Sequence, residues 1–255
     1  MSFQNRFKRT QYLLPLIMMV LVSCEPASEP QATIADHGME TEGVEDMREL
    51  AQGPDSFRPL FDGESFDGWH GYGGADATNR WWVNDGALVV KGLGDDQVDL
   101  VTDAEFGNFE LQLEWKISAG GNSGIMFNVA ETPEYSRTWK TGPEIQILDN
   151  DGHADSSLKH RAGDLYDLIE SHVEMSRPVG EWNESRLLVE NGLVKHWLNG
   201  TLVFEVQMWN EAWNELVAGS KFGSMPGFGK YYSGRIALQD HGDVVAFRNI
   251  RIREQ

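Results

Sequence analysis

The chain has 255 residues with 40 acidic against 21 basic side chains, and its formal net charge is −19 at pH 7. A protein this acidic is poorly suited to bind nucleic acid or anionic lipid, so a neutral ligand is the better expectation. Cys24 is the only cysteine. One chain therefore cannot form an internal disulfide, and a hydrophobic core has to stabilise the fold.

The amino terminus has the pattern of a secretory signal. Three basic residues between Arg6 and Arg9 precede an apolar run from Tyr12 to Val22. At about ten residues, this run is shorter than the roughly 20 that a membrane-spanning helix needs. It ends at Leu21-Val22-Ser23-Cys24, which resembles the lipobox of bacterial lipoproteins.

That resemblance implies that a signal peptide of residues 1–23 is removed and that lipid is attached to the Cys24 thiol. The protein is then expected in a bacterial cell envelope, held at a membrane by its lipid anchor alone, on the periplasmic or the outer-membrane surface. The alternative is an ordinary signal peptide with an incidental cysteine. The position of the single cysteine at the end of the apolar run favours the lipoprotein.

Residues 24–56 are predicted to be a disordered acidic tether. This segment holds eight acidic residues between Glu25 and Glu49 and a single basic one, Arg48, and it contains no Phe, Trp or Tyr. Such a segment buries too little apolar surface to offset its ordering entropy. The remaining 199 residues, 57–255, are within the usual size of one domain and provide a sizeable core.

From Phe57 onward, short apolar runs are broken by Gly, Asn and Asp, which is typical of an all-β domain. Asn191-Gly192 and Asn199-Gly200 predict two-residue hairpin turns, because these turns need positive φ at both central residues. The strict alternation of residues 109–116 predicts a strand whose Leu111, Leu113 and Trp115 face the core. Further strands are predicted at 81–83, 87–91, 100–102, 125–129, 144–149, 185–190, 193–198, 201–206, 234–239 and 244–252, and one helix within 208–218.

About ten short strands with alternating faces and little helix predict two antiparallel sheets packed face to face. We therefore expect a jelly-roll-like sandwich, with a closed antiparallel barrel as the alternative.

The strand that begins at Glu144 is the first place to look for chemistry. Glu144 and Gln146 lie on one face of it, while Ile145 and Ile147 lie on the other. One face is therefore core. The other presents a carboxylate and an amide where apolar side chains would be expected.

Several short phrases stand out along the chain, including PLFDG at 59–63, GNSGI at 121–125, EIQILD at 144–149 and IALQDHG at 236–242. Together they resemble one family, the DUF1080 domains, also described as 3-keto-disaccharide hydrolase domains with 3-keto-glucoside lyase and 3-keto-glucal hydratase activity. The resemblance covers residues 57–255 and implies a concanavalin A-like lectin/glucanase jelly roll that degrades 3-oxidised glycosides.

The activity implied by the resemblance has a simple chemical basis. A ketone at C3 acidifies the hydrogen at C2, so a base can remove it, the C1 substituent can leave by β-elimination, and water can then add to the enone. Such a site needs a base, a group that stabilises the enolate oxygen and a proton donor for the leaving oxygen. The alternative class is a non-catalytic lipoprotein that binds carbohydrate or recruits a partner.

The glucanases of this fold carry their acid, helper and nucleophile as inward carboxylates at alternate positions of one strand. Here the alternate positions are Glu144, Gln146 and Leu148, and Asp149 has the opposite parity. The sequence therefore predicts that this strand alone does not perform two-carboxylate glycoside hydrolysis.

Glu144 is expected to be the general base or a metal ligand, and Gln146, Asn128 and Gln239 are expected to hydrogen-bond sugar hydroxyls or the keto oxygen. Glu114 is a further substrate-binding candidate because it lies on the polar face of its own strand. For most alternating polar residues, the simpler interpretation is a solvated outer sheet face.

His153 and His241 are the two histidines best placed to act with Glu144. Either one is expected to donate a proton or to complete a divalent metal site with Glu144, although no tight His/Asp spacing supports a metal. The simpler alternative is that a lone histidine near a turn is structural. Trp139 and Tyr231 lie in predicted loops, where an aromatic ring can stack on the face of a sugar.

Overall fold

The computed structural model describes residues 56–92, 94, 96–155 and 157–255. The predictions for the signal peptide, for Cys24 and for the tether before residue 56 lie outside these described residues. Within them, no helix is both long enough and apolar enough to cross a membrane.

Thirteen strands and one α-helix make up the regular structure of the described residues. The helix is α1 (Glu211–Ala218), and single turns of 3₁₀-helix occur at Tyr72–Gly74, Ala77–Asn79 and Thr138–Lys140. The strands are β1 (Arg58–Pro59), β2 (Trp69–Gly71), β3 (Trp81–Asn84), β4 (Ala87–Val90), β5 (Leu100–Thr102), β6 (Phe109–Ile117), β7 (Asn122–Val129), β8 (Glu144–Leu148), β9 (Asn183–Glu190), β10 (Leu193–Leu198), β11 (Thr201–Gln207), β12 (Arg235–Leu238) and β13 (Val245–Glu254).

The strands form two antiparallel sheets. The larger sheet has the order β11-β10-β9-β6-β13-β4-β3, with β1 paired to β13, and the smaller sheet has the order β2-β5-β12-β7-β8. The predicted sandwich of two antiparallel sheets is thereby confirmed.

The core lies between the inner faces of the two sheets. Leu111, Leu113 and Trp115 of β6 are each 1% exposed, as their alternation predicts. Ile145 and Ile147 of β8 enter the same core from the smaller sheet. Each large side chain buried in this way contributes about 1.5–3 kcal/mol to folding, so the core can stabilise the fold without disulfides.

The tight turns also follow the sequence. Asn191 and Gly192 have φ of 48° and 81°, and Asn199 and Gly200 have φ of 50° and 81°. Positive φ at both central residues matches the right-handed twist of the flanking strands, which is why Asn-Gly occurs there. These turns connect β9, β10 and β11 in one meander.

Strand β8 is the edge of the smaller sheet, and a buried loop covers its free side. The backbone N–H of Gln146 donates to the Asp164 carbonyl at 3.0 Å, and the Tyr166 N–H donates to the Glu144 carbonyl at 2.9 Å. The Asp164 carboxylate accepts hydrogen bonds from the N–H groups of Arg161 and Ser171, which fixes the loop. Covering the edge prevents pairing with another chain and places Tyr166 beside Glu144.

Candidate active site

A cavity of about 490 Å³ opens on the outer face of the smaller sheet. This volume is within the range of small-molecule sites, which are concave and carry a few polar groups. Its polar lining comes from β7, β8 and the segment that follows β12, together with four loops: those before β5, between β7 and β8, after β8 and after α1.

Strand register brings the polar side chains of this lining together. Gly124 of β7 pairs with Gln146 of β8, and the N–H of Gln239 donates to the Gly124 carbonyl at 3.0 Å. Glu144 is paired with Met126, two residues further along β7 and on the same face. We call this face the cavity floor; its residues are Asn122, Gly124, Glu144, Gln146 and Gln239.

Gly124 leaves the space that the Glu144 carboxyl group occupies. A Cβ atom at position 124 would lie far inside van der Waals contact with Oε1 of Glu144. Gly124 does not have the positive φ that usually explains a glycine, so it is required here for space. The Glu144 carboxyl group consequently lies over the backbone of β7, in the middle of the cavity floor.

Glu144 is only 5% exposed. Burial raises the pKa of its carboxyl group to about 8, the nearby charge of Asp99 acts in the same direction, and the positive charge of Lys221 opposes it. No hydrogen bond contributes to this shift. Glu144 is therefore mostly protonated at pH 7, and its proton faces a site built for a ligand.

Asp99 is a second carboxyl group in the same cavity, and the sequence did not single it out. Burial raises its pKa to about 6, although hydrogen bonds from the Thr138 hydroxyl and the Asp240 N–H oppose the shift. Asp240 is itself held by Arg80, whose Nε and a terminal guanidinium nitrogen donate to its carboxylate at 2.6 and 2.9 Å. Asp99 is thus mostly ionised at pH 7.

Three amide side chains of the cavity floor have unsatisfied oxygens. The amide oxygens of Asn122, Gln146 and Gln239 are buried and accept no hydrogen bond within the described part of the chain. A buried acceptor without a partner costs about 1–3 kcal/mol, so such groups are rare unless a ligand completes them. Groups that donate hydrogen bonds, such as hydroxyls, are the ligands that this floor can satisfy.

The rim holds a lysine above an aromatic ring. Nζ of Lys221 lies 3.7 Å from the centre of the Tyr166 ring, and the His160 ring packs against Tyr166 with 4.5 Å between ring centres. His160 lies between two carboxylates, 2.6 Å from Asp155 and 3.2 Å from Asp167, and this contact stabilises the loop that carries Tyr166.

Five of the residues expected from the sequence line this cavity: Glu144, Gln146, Gln239, Trp139 and His241. Four others, Asn128, Tyr231, His153 and Glu114, lie elsewhere. The expectation that these four contact the ligand directly is therefore corrected.

Asn128 and Tyr231 have structural roles beside the cavity. Asn128 has a φ of 52° at an irregular point in the pairing of β7 with β12, so its side chain turns away from the floor. Its amide nitrogen donates to the Tyr231 carbonyl at 3.0 Å and holds the glycine-rich loop. The Tyr231 ring packs edge-on against Tyr135.

His153 and Glu114 are separated from the cavity by the topology. The turn after β8 carries His153 away, and its ring nitrogen Nδ1 accepts the Asp155 N–H at 3.0 Å. Glu114 belongs to β6 of the larger sheet, where Arg248 and Asn249 donate to its carboxylate at 2.8 and 2.7 Å. Alternation identifies the face of a strand, but it does not tell which sheet the strand joins.

Asp149 also lies outside the cavity. Its carboxylate accepts the Gly120 N–H at 2.7 Å and the Gly152 N–H at 3.1 Å, and these hydrogen bonds lower its pKa. Along β8, the alternate positions facing the cavity therefore carry the single carboxyl group of Glu144, followed by Gln146 and Leu148.

The metal site considered from the sequence required Glu144 with His153 or His241. His153 lies outside the cavity, and His241 stands at its exposed mouth. Among the residues described, no group of three or more His, Cys, Asp or Glu side chains is arranged to hold a metal ion.

Comparison with known proteins agrees with this geometry. Residues 56–253 match the model of the 3-keto-alpha-glucoside-1,2-lyase-like domain. The chain belongs to this family. Its match to the family model covers nearly all of the described residues, including the whole cavity floor.

Relatives of the family support the same assignment. The chain is 35% identical over 236 residues to a 3-keto-disaccharide hydrolase of Bacteroides thetaiotaomicron, and the alignment covers 82% of this chain and 81% of the relative. A protein of Parabacteroides distasonis that is assigned as a glycosyl hydrolase is 33% identical, with a TM-score of 0.74, covering 82% of this chain and 96% of that structure. A second one from the same organism is 25% identical with a TM-score of 0.62, covering 78% and 100%. The chain is a carbohydrate-active enzyme of the hydrolase type.

Proposed function

We propose that this domain cleaves 3-keto-glycosides by removing the hydrogen at C2, eliminating the substituent at C1 and adding water to the product. The observation that carries this proposal is the buried Glu144 carboxyl group, whose pKa is raised to about 8, at the centre of a cavity floor with amide oxygens that accept no hydrogen bond among the described residues. Its family and the 3-keto-disaccharide hydrolase relative support the same substrate class.

The elimination has clear requirements. The C3 ketone stabilises the carbanion formed at C2 as an enolate, and the C1–O bond then breaks with its electrons on the leaving oxygen. An alkoxide leaves poorly from carbon, so a positioned acid has to protonate it. Ordinary two-carboxylate hydrolysis, in contrast, needs a nucleophile or a water-activating carboxylate opposite the acid.

Glu144 fits the role of this acid. With a pKa of about 8, its carboxyl group carries a proton at neutral pH and can give it to the leaving oxygen. The sequence suggested that Glu144 is the general base or a metal ligand. Burial over Gly124 changes that assignment, since it keeps the proton on Glu144.

The remaining groups of the cavity bind the ring and its developing charge. The ammonium group of Lys221 is close enough to lower the pKa of Glu144, and so it is also placed to stabilise an enolate oxygen. Gln146, Gln239 and Asn122 accept hydrogen bonds from ring hydroxyls, and Trp139 provides an apolar wall against the sugar face.

The test uses methyl and 4-nitrophenyl 3-keto-glucosides in both anomers, together with the unoxidised glucosides, and measures release of the alcohol. We expect release from the keto-sugars only. In Glu144→Gln, release of methanol should fall by about 10²–10⁴-fold, the usual contribution of a general acid. Release of 4-nitrophenol should fall much less, because nitrophenolate leaves without a proton.

Glu114→Gln serves as the matched control, because it makes the same change on the larger sheet outside the cavity. Equal cleavage of keto-sugars and ordinary glucosides would contradict the proposal. Saturable sugar binding with no release from any keto-glycoside would instead support the non-catalytic class.

A further inference from the structure

The elimination requires a second proton-transfer group, and the cavity offers a candidate opposite Glu144. Asp99 directly precedes β5, whose Leu100 pairs with Leu238 of β12. Asp99 therefore lies at the level of Gln239, on the same sheet and lining the same cavity as Glu144. Two strand spacings, about 10 Å, separate β5 from β7, over which the Glu144 carboxyl group lies. One sugar ring fits between the two carboxyl groups.

The orientation of the Asp99 carboxylate is fixed by its neighbours. One oxygen accepts a hydrogen bond from the Thr138 hydroxyl, and the other accepts the Asp240 N–H at 3.0 Å. Asp240 in turn accepts hydrogen bonds from Arg80 and from the N–H groups of Val98 and Gly242. A carboxylate held at both oxygens by a rigid support keeps the geometry that proton abstraction from carbon demands.

The charges near Asp99 act in opposite directions, since that of Asp240 raises its pKa and that of Arg137 lowers it, and its carboxyl group lines the cavity. Its charged neighbours are Asp240, which is ion-paired with Arg80, then Arg137 at the rim and Glu144 across the cavity. None of the ion pairs found among the described residues includes Asp99 itself. Its charge is consequently not neutralised by a direct basic partner, unlike that of Asp240.

We propose that Asp99 is the base that removes the hydrogen from C2 of the keto-sugar ring. This inference rests on the proposed function and adds the second catalytic residue to it. The Asp99 carboxylate takes the C2 hydrogen as a proton, and the electrons of the C–H bond form the enolate of the C3 ketone. The enolate re-forms the ketone and a C1–C2 double bond while the C1–O bond breaks, and Glu144 protonates the departing oxygen.

The same two groups complete the hydration with their roles reversed. Glu144, now ionised, takes a proton from the water that adds to C1, and Asp99 returns its proton to C2. Both side chains end in their starting states, and the net reaction consumes one water molecule per glycosidic bond. No oxidant, reductant or further co-reactant is needed.

The decisive measurement is exchange of the C2 hydrogen for deuterium, followed by proton NMR on methyl 3-keto-glucoside in D₂O. Exchange reports removal of the C2 proton alone, without loss of the C1 substituent. We expect Asp99→Asn to lower the enzyme-catalysed exchange by at least about 100-fold, the range of general-base contributions. Glu144→Gln should retain exchange while losing methanol release. Wild-type exchange in Asp99→Asn would overturn the proposal.

Three further variants, the last of them described in the next paragraph, test whether the role of Asp99 is merely structural. Asp149→Asn, a carboxylate that also accepts backbone N–H groups but lies outside the cavity, should exchange at the wild-type rate per folded molecule. In Asp99→Ala, added formate should restore part of the exchange. Failure of this rescue in a folded Asp99→Ala variant, as judged by its thermal melting, would count against Asp99 as the base.

Thr138→Val keeps the carboxylate and tests its protonation directly. The Thr138 hydroxyl lowers the pKa of Asp99, so its loss should move the acidic limb of the exchange profile to higher pH. An acidic limb that does not move would contradict the proposal even if the Asp99 variants do not fold. Absence of turnover on every keto-glycoside, in contrast, would refute the proposed function rather than the role of Asp99.

Discussion

The two sheets of the sandwich each present a row of polar side chains, and the two rows differ in whether these groups have partners. On β6 of the larger sheet, Glu110, Gln112 and Glu114 face outward, and we call these residues the paired face. Arg186 and Arg253 contact Glu110 at 2.5 and 2.6 Å, and Arg251 donates to Gln112 at 2.6 Å. On the cavity floor, three amide oxygens accept no hydrogen bond from the part of the chain that the structure describes, and burial raises the pKa of the Glu144 carboxyl group to about 8.

This difference separates a surface from a site. Polar groups that satisfy one another stabilise the fold and leave nothing for a ligand to complete. Polar groups left unsatisfied in a cavity cost stability in the free protein, and the bound ligand recovers that cost. The carboxylates of the two faces should therefore affect stability with opposite sign.

The largest expected effect comes from replacing one carboxyl group on each face by an amide. Glu144→Gln should lower methanol release by about 10²–10⁴-fold and yet stabilise the protein. The pKa of Glu144 is about 8 in the folded state against its ordinary value of 4.5, so the folded protein binds more protons than the unfolded chain between these pH values. The free energy of unfolding of the wild type therefore falls as the pH rises from 4.5 to about 8, whereas that of Glu144→Gln does not change for this reason.

Glu114→Gln should do the reverse. Partial burial raises the pKa of Glu114, but hydrogen bonds from Asn249 and Arg248 outweigh this effect and lower the pKa below its ordinary value of 4.5. The carboxylate therefore stabilises the folded protein above pH 4.5, and this stability is lost in acid. We expect a loss of up to about 1 kcal/mol at pH 7 with normal activity. Thermal melting of both variants from pH 4 to 8 checks the comparison, and parallel curves for the two would contradict it.

The second-largest expected effect comes from replacing one arginine that contacts a polar side chain on each sheet. Arg80→Met leaves Asp240 as a buried charge without its partner, which costs about 3–5 kcal/mol of unfolding free energy. Arg251→Met on the paired face removes an exposed contact to Gln112 and should cost less than about 1 kcal/mol. Urea unfolding measures both, and similar losses would show that the support of Asp99 is no more buried than the outer surface.

Much of the fold was predictable because its signals are local. Alternation placed β6 within one residue of its observed end, and the two Asn-Gly pairs determined the turns of the β9–β11 meander. Glu144 and Gln146 were recognisable because polar residues at alternate positions interrupt an otherwise apolar strand. Predictions for the residues before 56 stay predictions.

The rest of the site depends on long-range contacts that no local pattern encodes. Asp99 precedes a strand of three residues, too short for a periodic signal, and its role follows from pairing with β12, more than 130 residues away. Lys221 lies in a loop and reaches the cavity because Asp167 accepts its backbone N–H at 2.8 Å. The opposite case is His153. It was expected to act with Glu144 because it is close to it in the sequence, but the turn after β8 places it outside the cavity.

The third effect tests the space beneath Glu144, and the chain provides a matched control. A methyl group at Gly124 would clash with the Glu144 carboxyl group, and one at Gly152 would clash with that of Asp149. Gly124→Ala and Gly152→Ala should each lose about 1–3 kcal/mol of stability through overpacking. Only Gly124→Ala should also lower kcat/KM, by about 10–100-fold, because it displaces a reacting group. Equal activity of the two variants would show that the position of Glu144 is not critical.

The smallest effect tests the positive charge at the rim. The charge of Lys221 lowers the pKa of Glu144, so Lys221→Met should raise that pKa above about 8 and move the alkaline limb of methanol release to higher pH. Loss of enolate stabilisation should reduce kcat about tenfold, equivalent to about 1.4 kcal/mol. The control is Lys230→Met, which changes a lysine of the neighbouring glycine-rich loop that does not line the cavity.

A fall in rate without a shift of the alkaline limb would place Lys221 near the substrate but not near Glu144. A shift without a fall would mean that its charge acts on the acid alone, and the enolate oxygen would then have to be stabilised by the amides of the cavity floor.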